Sequence, residues 1–343
     1  MEGKHEALHA AFARGEDAAR GASRIQSRNE TRLMNLTLFY DPGFAAPIGN
    51  HIMPMRKFGM VAEQLQRRVG IRILRPPPVS RSDLLRVHTS QYVLAVETGE
   101  PRALAESQKF PWSPELFPSV RLTNGGVLAT ATRALDEGVS GALASGFHHA
   151  FADHGEGFCT FNGLVVALEA LRAEGRIQSA AILDLDLHYG NGTASLVASR
   201  QWIKALSIYG NDYANNVPYR DVSVLHHSDG DNHRSAPILS SEDDGATLQS
   251  LLEKHLPWLI AGSRPDLLLF QAGADPLRDD PYSPLDLDHG DLFTRDKSVF
   301  AFAKSYGIPI AWVLAGGYAP DVTKVVDVHV NTAIACLEVY NFS

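Results

Sequence analysis

The sequence has few cysteines, no long apolar run and no excess of positive charge. Its two cysteines, Cys159 and Cys336, are too few for a disulfide framework and favour a reducing compartment, the cytoplasm. No run reaches the roughly 18–20 apolar residues that a membrane-spanning helix requires. The formal net charge of −8 argues against a surface that binds nucleic-acid phosphates, although it would attract a cationic substrate. We therefore expect a cytoplasmic protein that binds neither membranes nor nucleic acid directly.

The beginning of the chain differs in composition from the rest. Residues 1–33 are rich in Ala, Arg, Glu and Gly and lack the apolar stretch of a secretory signal peptide. Acidic residues such as Glu2 and Glu6 are unfavourable in a mitochondrial presequence, and Met34 could be the true first residue. We predict a loosely ordered N-terminal extension over residues 1–35 and a single domain over residues 36–343.

After residue 36, short apolar runs alternate with longer amphipathic stretches. Five runs are strand-like: "NLTLFYD", "GALASGFHH", "SAAILDLDLH", "PDLLLFQAGAD" and "IPIAWVLAGGY". The segments between them have helical spacing, and we expect one helix over "VSRSDLLRVHTSQYVLAVETG" and a surface loop over residues 100–120. This alternation predicts an α/β fold with a mostly parallel central sheet and helices on both faces.

Polar side chains lie at the ends of four of these five apolar runs. They are His148 and His149 after the second run, Asp184, Asp186 and His188 at the third, Asp275 after the fourth and Tyr318 after the fifth. The carboxyl ends of parallel strands converge on one edge of a sheet, where ligands bind. We therefore expect these side chains to share one crevice.

The spacing at the third run suits a metal ion. Side chains alternate along a strand, so Asp184, Asp186 and His188 point to the same side. Asp186 and His188 can reach one cation, and Asp275 can complete the set from a neighbouring strand. Two carboxylates and one imidazole leave a position open for water, as in a catalytic zinc site, and Fe²⁺ accepts the same ligands. Asp184 would bind a different cation or orient a histidine.

Each of these features has a plainer explanation when it is taken alone. An Asp-x-Asp at a strand end is a metal ligand in about one case in five and is otherwise a helix cap or a turn former. A His-His pair is usually one buried and one exposed residue, and Gly-Gly-Tyr is usually a turn beside a core aromatic residue. Four such features, each at the end of an apolar strand, are difficult to explain by caps and turns, so we favour the metal site.

Taken together, the motifs resemble the zinc-dependent histone deacetylase family, which has the arginase/deacetylase fold. The matching segments, in the family's order, are "GFHHA" (146–150), "GEGFCTFNG" (155–163), "DLDLHYGNGT" (184–193), "QAGADPL" (271–277) and "LAGGY" (314–318). "FADHGEGFC", "HIMPMRKF" and "DLLRVHTSQYV" are most similar to the class IV branch and its bacterial relatives. The resemblance makes residues 36–343 a deacetylase-like catalytic domain.

The resemblance implies two cation sites. It makes Asp186, His188 and Asp275 the ligands of a zinc ion. It also implies that Asp184 helps to bind a structural potassium ion, together with the region around Ser207 in "ALSIYG".

The resemblance also implies roles in catalysis and substrate binding. His149 would be the general base for the zinc-bound water, and His148 would help to hold charge. Tyr318 would donate a hydrogen bond to the substrate carbonyl and stabilise the oxyanion. Phe158 would line the channel for the acyl-lysine stem. Asn191 stands where many members have an aspartate beside the second histidine, so we expect His149 to be a weaker base here.

Four functions remain in competition at this point. We favour a zinc amidohydrolase that removes acetyl or longer acyl groups from lysine side chains of proteins or peptides. A deacetylase of small acylated amines such as acetylpolyamines is the main alternative. A ureohydrolase with two manganese ions would need more carboxylates than the motifs supply. A non-catalytic family member would typically have lost a ligand or the tyrosine, and this sequence has kept both.

Three other features could carry function. His226, His227 and His233 could form a second metal site, although a solvated polar loop is the simpler explanation. Cys159 could be redox-sensitive, although a semi-buried cysteine is usually inert. The aromatic segment 110–118 could form the rim of the substrate channel or pack on itself as a surface loop.

Overall fold

The computed structural model describes residues 35–49, 51–212, 217–218, 230–239 and 243–342. These residues belong to one compact unit, Asn35–Ser343. The predicted extension over residues 1–35 lies, except for its last residue, outside the described residues.

Along the described chain, helices separate most of the consecutive strands. The strands are β1 (Leu36–Phe39), β2 (Ile71–Leu74), β3 (Val139–Ser145), β4 (Ala180–Asp184), β5 (Ile203–Tyr209), β6 (Asn211–Asp212), β7 (Val217–Pro218), β8 (His233–Pro237), β9 (Leu267–Ala272) and β10 (Ile310–Leu314). The helices are α1 (Arg56–Leu65), α2 (Arg81–Leu84), α3 (Ser90–Thr98), α4 (Arg102–Ala105), α5 (Leu116–Glu137), α6 (Gly163–Ala173), α7 (Asn191–Val197), α8 (Asp244–Leu259), α9 (His289–Ser305) and α10 (Val322–Tyr340).

Eight of these strands form one parallel sheet in the order β2-β1-β3-β10-β9-β4-β5-β8. The central strands β4, β9 and β10 are buried along their whole length, because helices cover the sheet. The predicted α/β fold with a parallel central sheet is confirmed. The strands that precede the four polar segments are neighbours, in the order β3-β10-β9-β4, so their carboxyl ends meet at one edge.

The helices pack in two groups. In the first group α5 contacts β1, β3, β10 and α6, and α6 contacts α2 and α7. In the second group α10 contacts α1 and α9, and α8 contacts α9 and β5. Each fully buried Val or Leu on these helices contributes about 1.5–3 kcal/mol of hydrophobic stabilisation. Within the described part of the chain, no helix is both long enough and apolar enough to cross a membrane.

Two local expectations were wrong. The single helix expected before residue 100 is two helices, α2 and α3, because Thr89 is extended and its side chain accepts a hydrogen bond from Tyr92 N to begin α3. The loop expected over residues 100–120 contains α4 and the first turn of α5. Pro118 lies in that first turn, where its missing N–H is not needed.

Candidate active site

The segments that follow β3, β4 and β10 line one cavity. Its polar wall is formed by His148, His149, Asp186, His188 and Tyr318. Its apolar wall includes Phe44, Met53, Met55, Phe58, Phe110 and Phe158. The segment after β9 supplies Asp275, which is completely buried next to His188.

Asp186, His188 and Asp275 form a cluster whose ligand atoms lie within 4.8 Å of one another. His188 Nδ1 is 3.2 Å from Asp275 Oδ2 and 3.4 Å from Asp186 Oδ1. Burial lowers the pKa of His188, but hydrogen bonds to the two carboxylates outweigh burial and raise the pKa to about 10. The pair of buried carboxylates therefore attracts positive charge, and its donor set fits a divalent cation. Among the described residues, no other group of three such side chains is arranged to hold a metal ion.

Backbone N–H groups hold the two carboxylates in place. Gly316 N donates a hydrogen bond to Asp186 Oδ2 at 2.8 Å, and Leu187 N donates one to Asp275 Oδ1 at 3.0 Å. The backbone at Gly316 approaches the Asp275 carboxylate so closely that any side chain would collide with it. The second oxygen of each carboxylate contacts His188.

The rings of His148 and His149 lie beside each other, with centroids 3.9 Å apart, but their surroundings shift the two pKa values in opposite directions. His148 Nδ1 is 2.7 Å from Asp184 Oδ2. Burial lowers the pKa of His148, but the charges of Asp184 and Asp186 raise it above its usual value overall. For His149, burial together with the charges of His148 and His188 holds the pKa well below its usual value. The surroundings therefore favour the protonated form of His148 and the neutral form of His149, and the neutral ring of His149 can accept a proton.

Asn191 fixes which nitrogen of His149 carries the proton. Its side-chain oxygen lies 2.7 Å from His149 Nδ1. An amide oxygen can only accept a hydrogen bond, so Nδ1 must donate and Nε2 is unprotonated. This arrangement suits a proton acceptor in the cavity.

Tyr318 follows Gly316 and Gly317 at the end of β10 and lines the cavity. Its backbone N donates a hydrogen bond of 2.6 Å to Asp280 Oδ2. Burial raises the pKa of the phenol well above 10, and the nearby carboxylates of Asp275 and Asp186 add to this effect. Tyr318 thus keeps its proton and is a hydrogen-bond donor.

Aromatic rings form the part of the cavity wall next to Tyr318. The Phe158 ring is 6.1 Å from the Tyr318 ring and 5.6 Å from the Phe110 ring, between centroids. Of segment 110–118, Phe110 lines the cavity, whereas residues 116–118 begin α5. Cys159 is buried and burial raises the pKa of its thiol, which argues against redox sensitivity.

Asp184 and Ser207 face each other in register on β4 and β5, and both are buried. One oxygen of Asp184 accepts hydrogen bonds from Asp186 N and Gln271 Nε2, and the other contacts His148. Asp184 therefore orients His148, and a potassium site at Asp184 and Ser207 stays a prediction.

Of the three histidines considered as a second metal site, only His233 lies among the described residues. His226 and His227 lie outside the described residues. His233 lies on β8, is buried, and packs its ring 5.7 Å from that of Tyr189. His233 is buried on an edge strand, which indicates a structural role, and it does not line the cavity.

Two buried cations beside the site were not predicted from the sequence. Lys57 Nζ donates hydrogen bonds to Ala315 O at 2.8 Å and to Gly317 O at 3.3 Å, and so holds the loop that carries Tyr318. Burial lowers the pKa of Lys57 to about 8, against the opposing effect of nearby carboxylates. The segment "HIMPMRKF", noted for its resemblance to the family, was the one signal for this lysine.

Arg295 on α9 likewise donates hydrogen bonds to backbone carbonyls near the cluster. It donates hydrogen bonds to Leu185 O at 3.1 Å and to Gly273 O at 2.8 Å. Leu185 directly precedes Asp186, and Gly273 lies two residues before Asp275. The carboxylate of the neighbouring Asp296 compensates the guanidinium charge, with Oδ1 2.8 Å from Arg295 Nε. The signal available in the sequence was the adjacent charged pair Arg295 and Asp296, within a stretch that has the spacing of an amphipathic helix.

Comparison with known proteins agrees with this geometry. A family model described as "Histone deacetylase domain" matches residues 51–333. The chain belongs to the histone deacetylase family. The resemblance read from the motifs is confirmed.

Proteins similar to this chain carry different names. An uncharacterized protein of Picosynechococcus sp. is 30% identical over 90% of this chain and 100% of its own length. Histone deacetylase 2 of Arabidopsis thaliana is 27% identical over 74% of this chain and 65% of its own. Acetylpolyamine amidohydrolase 1 of Pseudomonas aeruginosa is 26% identical over 78% and 86%. The chain is thus placed among hydrolases of the deacetylase and amidohydrolase type.

Solved structures of this family share the fold. The HDA15 HD domain superposes with a TM-score of 0.70 and 19% identity over 88% of this chain and 95% of that one. An acetylpolyamine aminohydrolase from Burkholderia pseudomallei gives 0.70 and 18% over 89% and 99%. These similarities confirm the arginase/deacetylase fold.

Proposed function

We propose that this chain is a zinc-dependent amidohydrolase that removes acyl groups from lysine side chains of proteins or peptides. The proposal places the catalytic domain at residues 36–343 and the protein in the cytoplasm. The observation that carries it is the Asp186–His188–Asp275 cluster beside a neutral histidine and a protonated tyrosine in one cavity.

The three residues of the cluster would hold the metal. Zn²⁺ suits two carboxylates and one imidazole, and Fe²⁺ suits them as well. When bound, such an ion supplies a Lewis acid that polarises the amide carbonyl and acidifies a water molecule. The dinuclear alternative is less well supported, because the described residues offer one such cluster and its carboxylates are already shared with His188.

His149 would take the proton from the attacking water. Its unprotonated Nε2 belongs to a ring that lines the cavity, and its low pKa keeps it neutral before reaction. The same ring can then deliver the proton to the departing amine. His148, held by Asp184, would stay protonated and stabilise negative charge that develops nearby.

Tyr318 would donate its phenol proton in a hydrogen bond to the carbonyl oxygen as that oxygen becomes an oxyanion. This interaction strengthens as charge develops, and it therefore lowers the barrier more than it tightens substrate binding. Lys57 and Asp280 would keep the Tyr318 backbone in position from two directions.

The substrate side of the proposal rests on Phe158 and Phe110. Their rings form an apolar wall suited to a four-carbon methylene stem with a neutral amide at its end. A small acylated amine is the second candidate, favoured by the similarity to acetylpolyamine amidohydrolases and by the acidic net charge.

A panel of acyl-lysine peptides from acetyl to myristoyl, together with acetylated polyamines, tests the proposal. We expect peptide cleavage that a chelator abolishes and Zn²⁺ restores, with about one metal ion per chain by mass spectrometry. Cleavage of acetylpolyamines alone would replace the first candidate by the second. No cleavage of either class by metal-loaded protein would refute the proposal.

A further inference from the structure

Glu156 is partly exposed, does not line the cavity, and reaches the candidate base only through Asn191. We propose that Glu156 is a positioning residue that fixes the Asn191 amide and so keeps His149 protonated at Nδ1. This inference rests on the function proposed above, in which His149 is the base.

The turn that carries Glu156 packs directly on His149. Cys159 N donates a hydrogen bond to Glu156 O at 2.7 Å, and the two residues between them have φ of 49° at Gly157 and 65° at Phe158. A side chain at Gly157 would collide with the His149 ring. The turn therefore sets the cavity wall at Phe158 and the position of Glu156 at the same time.

Hydrogen bonds fix both ends of the Asn191 side chain. Asn191 Nδ2 donates to Glu156 Oε2 at 3.0 Å. Asn191 Oδ1 accepts from Gly192 N at 2.9 Å and contacts His149 Nδ1 at 2.7 Å. A carboxylate can only accept, so Glu156 requires the NH₂ end of the amide to face it. The oxygen then faces His149, which must donate from Nδ1.

Glu156 also supplies negative charge that Asn191 lacks. An aspartate at position 191 would place a charge directly on the histidine, whereas here the charge lies one hydrogen bond further away. The Glu156 side chain is 34% exposed, so its charge costs less desolvation than a buried one. Its other oxygen is 3.4 Å from His154 Nε2.

The hydrogen bond between positions 191 and 156 therefore requires a donor at one of the two positions. The substitution Asn191→Asp would bring two carboxylates to hydrogen-bond distance, and they would repel each other. Changing Glu156 to Gln in that variant restores a donor, this time from the Glu156 position. The effect of Glu156→Gln should therefore change sign with the residue at 191.

The test measures kcat and KM of zinc-loaded protein on an acetyl-lysine peptide. We expect Glu156→Ala to lower kcat about tenfold with KM little changed, because a loosened base loses part of its general-base contribution. Glu156→Gln should stay within about threefold of wild type, since its side-chain oxygen accepts the same hydrogen bond. Glu174→Ala is the matched control: it is the same substitution at an exposed residue at the end of α6, and it should leave kcat unchanged.

The decisive comparison is made in two backgrounds. Asn191→Asp should lower kcat, and adding Glu156→Gln to it should raise kcat several-fold, whereas Glu156→Gln alone lowers it slightly. An equal effect of Glu156→Gln in both backgrounds, or wild-type kcat in Glu156→Ala, would overturn the proposal.

A second readout does not depend on activity. Nitrogen-15 NMR of histidine-labelled protein reports the tautomer of His149, assigned by its loss in His149→Ala. We expect the Nδ1–H form in wild type and a measurable share of the Nε2–H form in Glu156→Ala, in which Gly192 N still donates to the Asn191 amide but Glu156 no longer accepts from it; a single unchanged tautomer in Glu156→Ala contradicts the inference. If wild type hydrolyses no acyl substrate but the tautomer shifts as expected, the proposed function fails and the positioning role stands.

Discussion

Lowering the pH should destabilise the fold through His88, a buried histidine that does not belong to the Asp186–His188–Asp275 cluster. His88 Nδ1 lies 2.8 Å from Phe151 O, and Asn162 N donates to His88 Nε2 at 3.1 Å. The ring must therefore carry its proton on Nδ1 and accept at Nε2, which only the neutral form can do. Protonation would break the bond to Asn162, the residue that caps α6.

The size of this effect follows from the shift in pKa. Burial lowers the pKa of His88 from 6.5 to about 4, against the opposing effect of the Phe151 carbonyl. A lowered folded-state pKa means that the unfolded chain binds the proton more tightly, so stability is complete above pH 6.5 and falls towards pH 4. Between pH 7.5 and pH 5.0 this one group should cost about 2 kcal/mol of unfolding free energy.

Urea unfolding of wild type and His88→Asn at the two pH values measures the effect. The asparagine keeps a donor towards Phe151 O but does not titrate. It should be less stable than wild type at pH 7.5 and should lose about 2 kcal/mol less on acidification. If both proteins lose the same free energy between pH 7.5 and pH 5.0, His88 is not the titrating group and the reasoning is refuted.

Three further predictions concern the site. Tyr318→Phe should keep its metal and lower kcat about 10²–10³-fold, as loss of one oxyanion donor does, and near wild-type turnover would remove Tyr318 from the mechanism. His149→Ala should abolish hydrolysis while metal content by mass spectrometry stays near one per chain; an active variant would mean that another group is the base. Asp275→Asn should lower the affinity for Zn²⁺ in a chelator competition by about tenfold or more, because one anionic ligand is lost, and unchanged affinity would exclude Asp275 from the metal site.

Much of the fold could be predicted from the sequence because its central strands consist of nearly continuous apolar residues. β1, β3, β4, β9 and β10 were all expected, and the structure contains them. The strands β2, β5 and β8 were not. β2 and β8 lie at the two ends of the sheet order, and "IRIL" and "HRSAP" lack a continuous apolar run because an edge strand is only partly covered.

The candidate site could be predicted in part for the same reason. The segments after β3, β4, β9 and β10 had to meet once the sheet was parallel, and the structure brings Asp186, His188 and Asp275 together. Their roles as ligands stay predictions. The opposite pKa shifts of His148 and His149 could not be predicted from the two residues alone, because they arise from the charge of Asp184 and from burial.

By itself, the sequence determined the parallel sheet, the family and the residues that gather at one edge of the sheet. These features depend on local patterns: apolar runs, alternation of side chains and a few short motifs. Only the tertiary structure decided what holds that edge in place. Lys57 reaches a carbonyl 258 positions away, Arg295 one 110 positions away, and Glu156 an amide 35 positions away. A pattern along the chain does not encode such contacts, because they form only when distant segments pack against one another.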